Sequence, residues 1–520
     1  MVDIILLQPK SGIWDAMGVR VPTGLLTIAA VPVQKGYDVV LIDSRINVQW
    51  QEDLKKQVDA GAKIVCFTTM VGEQIKHMME ASKFVKSLNP KICTVLGGSW
   101  AQIYPGMCMQ DNNIDVVCAG EGDYLLAEVM EYVEGKKNLR DIPGIMYRGV
   151  EGAKIKQNPP RQQIQNLDEL PRMPWHLVNL NNYSAVGFRP GKASIAMVTS
   201  RGCQFRCGFC SIVTLYKQTW RGFSVQRIMD DLEYLEKTYG IQDFFFMDDL
   251  ITGDFKRFEQ LVDTLAASGK DYNWSVAGIR ADHVLRLKEE TLQKMVQSGC
   301  RNIDIGVESG NPRILKLMKK DTTVDVVMRT NRKMSKYPII IKYTFMGGFP
   351  TETEEEFRDT LKLRRILQEE NEYATAPLFF YTPFHDTPLY PIAIKNGFKP
   401  PRSLKDWSDF NYNTWYRKYP CWLTKRMIQL VENAAFLSYF SNKKLDYKYT
   451  NPLFNALFKA YYPLAKFRYD HDFYGIMVEK HAANFVAKMN EKFTLFGRFQ
   501  KNNKPKKVDP FAVQEVSEAS

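Results

Sequence analysis

Short apolar strands that alternate with helix-length segments are the feature that most constrains the fold of this 520-residue chain. In residues 1–150 the strand candidates are apolar throughout; they are residues 4–7, 37–43, 64–68, 91–98 and 116–118. Strands of this kind are buried on both faces, which is typical of a parallel sheet covered by helices. The pattern predicts a doubly wound α/β sheet whose ligand lies beyond the carboxyl ends of the strands.

A second series of strands and helices occupies residues 191–390, with strand candidates at 195–199, 243–247, 274–277, 302–307, 339–345 and 376–381. Between the two series, residues 151–190 are rich in proline and predict a linker. Residues 391–500 predict a mainly helical C-terminal region that closes over the substrate, and residues 501–520 predict a disordered tail.

Three cysteines, Cys203, Cys207 and Cys210, follow the first strand of the second series with C-x3-C-x2-C spacing. Three thiolates are one fewer than a closed four-iron cluster or a structural zinc site needs. A cluster held in this way keeps one iron open to a small molecule, which indicates catalysis. The alternatives are zinc ligands that lack a fourth partner, or small buried side chains. The other six cysteines show no paired spacing, so we expect reduced thiols and a cytoplasmic protein.

The cysteine loop, residues 200–210, lies between a buried strand and the helix-like segment 224–239. In this setting it resembles the signature of radical S-adenosylmethionine (SAM) enzymes. The resemblance implies a [4Fe-4S] cluster on Cys203, Cys207 and Cys210, with SAM bound to the open iron and cleaved to a 5′-deoxyadenosyl radical. It also implies that residues 191–390 form a partial (βα)6 barrel, whose chemistry lies at the carboxyl ends of its strands.

The resemblance also implies roles for polar and small residues at those strand ends. Either Asp248 or Asp249 would lie near the methionyl amino group of SAM, and the sequence does not choose between them. Glu308 would accept hydrogen bonds from the ribose hydroxyls. The remaining candidates are Arg280, Gly347 and Gly348 as cofactor contacts, and Tyr381 as a catalytic residue. The alternative for the acidic residues is that they cap the following helices.

In the first domain, small and polar residues lie at the carboxyl ends of three successive strands: Thr68, Thr69, Met70, Gly97, Gly98, Ser99, Trp100, Gly120, Glu121 and Gly122. Small residues let a large planar ligand approach the backbone, although each glycine pair taken alone is more typical of a turn. As a set ahead of the cysteine loop, they resemble the Rossmann-like cobalamin-binding domain of cobalamin-dependent radical SAM enzymes. The D-x-H-x-x-G motif is absent, so we expect no histidine lower ligand, with Met70 or Trp100 facing that side of the cobalt.

The subgroup that the chain resembles includes the anaerobic magnesium-protoporphyrin ester cyclase and lipid-modifying methyltransferases. The resemblance implies that cobalamin takes a methyl group from one SAM and that a substrate radical then takes it from methylcobalamin. The predicted function is therefore C-methylation of an unactivated carbon. A ring-forming reaction without methyl transfer and a non-enzymatic cobalamin or iron–sulfur sensor remain as alternatives. A methylthiotransferase is disfavoured, because the first domain has no second cysteine triplet.

The C-terminal region bears on the substrate and the partners. Residues 401–500 contain 24 aromatic residues, and residues 401–520 hold 20 Lys and Arg against 11 Asp and Glu. With Tyr381 and His385, these residues predict a large apolar substrate with a polar or anionic head, such as a lipid or a tetrapyrrole. The basic charge indicates either a peripheral membrane contact or a solvated face over an aromatic core. No nucleic-acid-binding motif accompanies it. The resemblance further implies an electron donor such as ferredoxin or flavodoxin.

Overall fold

The structure is a computed structural model, and it describes residues 2–12, 15, 19–149, 154–183, 194–412, 414–440, 452–475, 477, 479 and 480. The predicted disordered tail, residues 501–520, lies outside the described residues. Two parallel sheets, each covered by helices, dominate the described part of the chain. The predicted mixed α/β fold is confirmed.

The first sheet contains five parallel strands in the order β2-β1-β3-β4-β5. The strands are β1 (Ile4–Gln8), β2 (Val39–Asp43), β3 (Ile64–Thr68), β4 (Cys93–Gly97) and β5 (Val116–Cys118). The helices are α1 (Thr23–Gln34), α2 (Trp50–Asp59), α3 (Glu73–Leu88), α4 (Ser99–Ile103), α5 (Pro105–Cys108) and α6 (Leu125–Val133). This order is that of a doubly wound sheet. Because β3, β4 and β5 are parallel neighbours, their carboxyl ends lie side by side along one edge of the sheet.

Two antiparallel strands that the sequence pattern does not predict extend this sheet past β5. They are β6 (Ile145–Arg148) and β7 (Ile155–Gln157). Strand β6 alternates buried and half-buried residues, and β7 is exposed throughout. Neither has the continuous apolar run by which the inner strands are predicted. The sheet therefore continues beyond residue 150, where the sequence predicts the domain to end.

The second sheet is parallel and open, and it runs β8-β11-β12-β13-β14, with β15 and β16 both paired to β14. Its strands are β8 (Ser194–Met197), β11 (Asp243–Met247), β12 (Asn273–Ile279), β13 (Cys300–Glu308), β14 (Ile340–Gly347), β15 (Ala374–Thr375) and β16 (Leu378–Phe380). The last two replace the single strand predicted at 376–381, since Pro377 lies between them and has no N–H for the ladder. A separate hairpin joins β9 (Ser200–Gly202) to β10 (Trp220–Gly222).

The helices of this half and of the C-terminal region are α7 (Ser211–Tyr216), α8 (Val225–Tyr239), α9 (Phe255–Ala267), α10 (Ala281–Arg286), α11 (Glu289–Gln297), α12 (Pro312–Leu317), α13 (Val324–Met334), α14 (Glu354–Glu370), α15 (Tyr390–Lys395), α16 (Leu404–Ser408), α17 (Trp415–Lys418), α18 (Lys425–Phe440) and α19 (Pro452–Asp470). Helix α18 packs on the core of the second sheet. Helices α16 and α17 pack instead on the core of the first sheet. No helix within the described residues is long and apolar enough to cross a membrane.

Candidate functional site

The cysteine loop is held between the β9–β10 hairpin and α7. Cys203, Cys207 and Cys210 are half-buried, and none forms a disulfide. The backbone of Gly208, inside the loop, is anchored on both sides. Its N–H donates to Met318 O at 2.7 Å, and its carbonyl accepts from the N–H of Leu389 at 2.8 Å. The loop is therefore fixed by the chain that follows β13 and β16, and it does not depend on its own turns alone.

The surroundings of the three thiols fit an anionic iron–sulfur cluster. Burial raises the pKa of Cys210 to about 12, and the nearby Lys320 ammonium opposes that rise. Burial likewise raises the pKa of Cys203, where the Arg280 guanidinium opposes it. Among the described residues, no three His, Cys, Asp or Glu side chains converge on a single ion.

Arg280 holds this loop in position through contacts with Phe205 and with the chain after α12. Its guanidinium lies 3.7 Å from the ring centre of Phe205, which stands between the first two cysteines. It donates to the carbonyls of Lys320 at 3.0 Å and Asp321 at 2.8 Å, and to the Asp282 carboxylate at 2.9 Å. Arg280 was predicted as a cofactor contact, and the structure places it beside the cluster loop with its donors directed at protein acceptors.

The two neighbouring carboxylates after β11 have different surroundings. Asp248 is buried and accepts hydrogen bonds from the backbone N–H and the hydroxyl of both Thr199 and Ser200, which join β8 to β9. Burial raises the pKa of Asp248 to about 6, against these hydrogen bonds. Asp249 accepts from the N–H of Gly202 at 2.9 Å. No hydrogen bond to its other oxygen is found among the described residues.

Glu308 ends β13 with a positive φ of 74°, a backbone conformation that L side chains rarely adopt. Its carboxylate pairs with Lys320 at 3.0 Å, and both side chains are buried. Burial alone would lower the pKa of Lys320, but the Glu308 carboxylate outweighs burial and the pKa is raised. The role of Lys320 cannot be predicted from the sequence, because one lysine in a loop between two helices forms no pattern. Backbone strain beside a buried ion pair is typical of functional sites.

The glycine pair at the end of β14 makes its contacts within the protein. A Cβ on Gly347 would overlap the ring of Phe357 at 2.2 Å. The N–H of Gly348 donates to Glu352 Oε2 at 2.6 Å, and its carbonyl accepts from Trp422 Nε1 at 3.1 Å. Burial raises the pKa of Glu352 to about 8, so this carboxyl group is protonated at neutral pH. The predicted contact of this pair with SAM stays a prediction.

Tyr381 lies in a small apolar core next to the cysteine loop. It is 1% exposed and stacks on Phe349 with ring centres 4.9 Å apart. Its hydroxyl is buried without a hydrogen-bond partner among the described residues, and burial raises its pKa. Phe209 of the cysteine loop packs on the same core. The predicted catalytic role of Tyr381 stays a prediction.

On the first sheet, the ends of β3 and β4 approach each other through backbone and small side chains. Gly98 has a φ of 97°, and a Cβ there would lie 2.4 Å from Thr69 O. Trp100 is 2% exposed, packs on Trp407 at 4.7 Å, and leaves its buried indole N–H without a partner in the described part of the chain. Met70 is 41% exposed. Of the two side chains predicted to face the cobalt, only Met70 is open to solvent.

This edge fits a flat ligand, because backbone and small residues form it at Thr68, Gly97 and Ser99. His77 lies away from it on α3, with Nδ1 3.1 Å from Glu80 Oε2. Helix α4 begins directly after Gly98 and packs against α7, which begins directly after Cys210. The predicted cobalamin edge and the cysteine loop therefore face each other.

After β5, the Gly120-Glu121-Gly122 turn meets the β9–β10 hairpin. The Glu121 carboxylate accepts from Arg221 at 2.8 and 3.0 Å and from the N–H of Ile164 at 2.8 Å. It was predicted as a cofactor contact, and in the structure its oxygens are bound to protein donors. Its partners could not be predicted, since they are 43 and 100 residues away in sequence.

Residues 197–364, which include all three cysteines, match the family model of the Radical SAM superfamily. Residues 16–130, which include the ends of β3, β4 and β5, match that of the B12 binding domain. The chain is a cobalamin-binding radical SAM enzyme. Its cofactors are a [4Fe-4S] cluster, SAM and cobalamin, which confirms the cofactors that the sequence analysis expected.

Among the curated relatives of this radical SAM enzyme are two that are named methyltransferases and one that is named a cyclase. An uncharacterized methyltransferase of Pyrococcus horikoshii is 29% identical over 76% of this chain and 84% of its own. The cytidylyl-2-hydroxyethylphosphonate methyltransferase of Streptomyces wedmorensis is 25% identical over 76% and 83%. The anaerobic magnesium-protoporphyrin IX monomethyl ester cyclase of a Synechocystis species is 24% identical over 75% and 77%.

Two solved structures share the fold. The cobalamin-dependent SAM radical enzyme OxsB superposes with a TM-score of 0.67 at 19% identity, over 95% of this chain and 75% of that one. The radical SAM methyltransferase TsrM of Kitasatospora setae superposes with a TM-score of 0.63 at 16% identity, over 82% and 86%. At these identities the likeness supports the arrangement of the two domains.

Proposed function

We propose that this radical SAM enzyme transfers a methyl group to an unactivated carbon of a large, mainly apolar substrate. The observation that carries the proposal is the packing of α4 on α7, because these helices follow the predicted cobalamin edge and the cysteine loop. A methyl donor and a radical source held there are neighbours. When bound, the cluster supplies one electron to cleave SAM, and cobalamin supplies a methyl carrier.

The stoichiometry of this reaction balances. One SAM loses its methyl group and becomes S-adenosylhomocysteine. A second SAM is cleaved to methionine and 5′-deoxyadenosine, which carries away the hydrogen taken from the substrate carbon. The two electrons come from an external donor such as ferredoxin or flavodoxin.

We assign SAM binding to the residues around the cysteine loop. Asp249 has an oxygen without a hydrogen bond among the described residues, so it is the carboxylate that we assign to the amino group of SAM. Glu308, oriented by Lys320, is assigned to the ribose hydroxyls. Arg280 keeps the loop in place through its contacts with Phe205. In each case the protein holds and orients the cofactor.

The inner face of the second sheet supports an apolar substrate with an anionic group. Met247 and Phe379 are 40% and 42% exposed on the face opposite the helix-covered core. Arg20 Nη1 lies 3.2 Å from Met247 Sδ, and Arg20 forms no ion pair within the described part of the chain. The nearby Asp304 is already paired with Lys342 at 2.7 Å. The Arg20 guanidinium is therefore a positive charge beside this apolar face that has no carboxylate partner among the described residues.

The test is an anaerobic reconstitution with iron, sulfide and hydroxocobalamin, followed by addition of SAM and a reductant. We expect both 5′-deoxyadenosine and S-adenosylhomocysteine. Cys207→Ala should abolish 5′-deoxyadenosine, because it removes one iron ligand. Cys421→Ala, which replaces a half-buried free cysteine outside the loop, is the matched control and should leave both products unchanged.

The outcomes separate the candidate reactions. 5′-Deoxyadenosine without S-adenosylhomocysteine would favour a cyclase that transfers no methyl group, the reaction type in the name of the Synechocystis relative. Loss of neither product in Cys207→Ala would contradict the assignment of the cluster to this loop.

We further propose a peripheral membrane contact through the C-terminal region. Leu464, Phe467 and Phe473 are exposed apolar side chains there, close in sequence to the exposed Lys459 and the half-buried Lys466. Basic and apolar residues together favour binding to anionic lipid surfaces. Co-sedimentation with anionic but not neutral vesicles, lost in Phe467→Asp, is the expected result. Equal binding by the wild type and the variant would contradict it.

A further inference from the structure

Four buried charged side chains join the first sheet to the hairpin that carries the cysteine loop. The Arg201 guanidinium donates to both oxygens of Asp123, at 2.9 and 2.8 Å. The Arg221 guanidinium donates to both oxygens of Glu121, at 3.0 and 2.8 Å. Arg201 also lies 3.5 Å from Glu121, which links the two pairs. We call these four residues the interdomain clamp.

The clamp has the geometry of a precise connection. Both ion pairs are of the two-point kind, which fixes orientation as well as distance. The side chains of Asp123, Arg221, Glu121 and Arg201 are 4%, 6%, 10% and 11% exposed. Charges withdrawn from water to this degree are stable only while their partners stay in place. A shift of either domain against the other would leave buried charges unpaired.

The two ends of the clamp lie beside the two cofactor sites. Glu121 stands between Gly120 and Gly122, three residues after the end of β5. This turn lies within residues 16–130, which match the B12 binding domain. Arg201 belongs to β9, two residues before Cys203, and Arg221 lies opposite it on β10. The register pairs Arg201 with Arg221, so both guanidinium groups leave the hairpin at the same level. Movement of this edge is therefore transmitted to the base of the cysteine loop.

We propose that the interdomain clamp couples the two cofactor sites, so that cobalamin on the first sheet and SAM at the cluster each strengthen the binding of the other. Glu121, Asp123, Arg201 and Arg221 are positioning residues in this inference, since they act through the turn and the loop. Binding at either site further restrains the hairpin that both sites share, and the second ligand then binds a site that is already restrained. The coupling must be reciprocal, because it is a difference between binding free energies. It does not depend on whether the substrate is methylated or cyclised.

The experiment measures binding without turnover. The cluster is reconstituted and kept oxidised, so SAM binds but is not cleaved, and hydroxocobalamin is titrated with and without saturating SAM. The ratio of the two cobalamin dissociation constants is the coupling factor. For the wild type we expect a factor of roughly ten, within the usual range for coupled sites. For Glu121→Gln we expect a factor close to one, because the amide cannot hold both guanidinium groups.

Glu128→Gln is the matched control. Glu128 is a carboxylate of the same domain, 17% exposed and paired with Arg161, and it has no contact with the hairpin among the described residues. Its variant should keep the coupling factor of the wild type. If Glu121→Gln does not fold, Arg221→Lys keeps the charge but loses the two-point geometry, and the same loss of coupling is expected.

A second readout needs no cluster. Amide hydrogen exchange in residues 200–222 should slow when cobalamin binds the wild type, and should be indifferent to cobalamin in Glu121→Gln. A coupling factor of one in the wild type would overturn the proposal. So would a folded Glu121→Gln or Arg221→Lys variant with wild-type coupling.

Discussion

Two adjacent carboxylates show how residue-level surroundings separate structural from functional roles. Asp248 is surrounded by four donors from Thr199 and Ser200, which occupy both of its oxygens. Asp249 accepts one hydrogen bond, from the N–H of Gly202, and among the described residues its other oxygen accepts none. Identical side chains one position apart therefore have different capacities for a ligand. The sequence does not distinguish them, because hydrogen bonds to the β8–β9 connection are not visible in it.

The two asparagine variants are a matched pair. Asp248→Asn turns an amide NH2 toward donors and should destabilise the fold by about 1–3 kcal/mol, measured by urea unfolding. Asp249→Asn should leave stability unchanged and weaken SAM binding roughly tenfold, the effect of losing one charged hydrogen bond. Equilibrium dialysis with the oxidised cluster checks the second effect. The reverse pattern would assign the ligand to Asp248.

Glu352 predicts a pH dependence of stability. Its pKa is about 8 in the folded protein, above its ordinary value of 4.5, because burial disfavours the charged form. Its contribution to stability is therefore complete below about pH 4.5 and is lost as the pH rises toward 8 and above. The loss is on the order of 4 kcal/mol. Glu352→Gln has the shape of the neutral acid but cannot ionise. The melting temperature of this variant should therefore fall less between pH 5 and pH 9 than that of the wild type.

At the scale of elements, the ends of β3 and β4 depend on one glycine. Gly98→Ala would place a Cβ against Thr69 O in a left-handed conformation, and should cost about 2 kcal/mol or more. Cobalamin binding should weaken in parallel, since the edge would shift. Gly24→Ala is the control: it lies in α1 with no atom near its Cβ position, and its effect should stay within about 1 kcal/mol. Equal effects of both variants in thermal unfolding would contradict this account.

The strands that the sequence predicts most directly are those with continuous apolar runs. β1, β3 and β4 are buried on both faces almost throughout, and burial on both faces requires such runs. The hairpin of β9 and β10 was not predicted, because its strands have three residues each and include Arg201 and Arg221. These arginines are stable there only through acidic partners from another domain. Short polar strands of this kind are defined by tertiary contacts.

At the scale of the whole molecule, the C-terminal region is shared between two cores. Trp407 and Trp415 belong to the core of the first sheet, together with Trp100. Met427 and Val431 of α18 belong to the core of the second sheet. The chain after residue 390 therefore ties the two sheets together, in addition to the interdomain clamp. The sequence predicts that residues 391–500 form a separate domain that closes over the substrate. That prediction remains a proposal.

Trp407→Ala tests this arrangement. The side chain is 1% exposed against Trp100, and its removal should cost about 3–5 kcal/mol. Hydrogen exchange should rise in α3 and α4, on the first sheet, although the substitution lies some 300 residues later in the sequence. Phe473→Ala removes an exposed aromatic side chain and should change stability by less than about 0.5 kcal/mol. Faster exchange confined to residues 391–440 would contradict the shared core.

The sequence by itself determined the two sheets and the cysteine loop, through apolar runs and C-x3-C-x2-C spacing. Its resemblance to cobalamin-dependent radical SAM enzymes implied the three cofactors. Only the tertiary structure decided which carboxylate is free, that Glu308 pairs with Lys320, and that Glu121 holds the β9–β10 hairpin. The physical reason is the range of the interactions. Periodicity and spacing act within one segment, whereas the charge on a buried group is set by whichever distant side chain folding brings within about 3 Å.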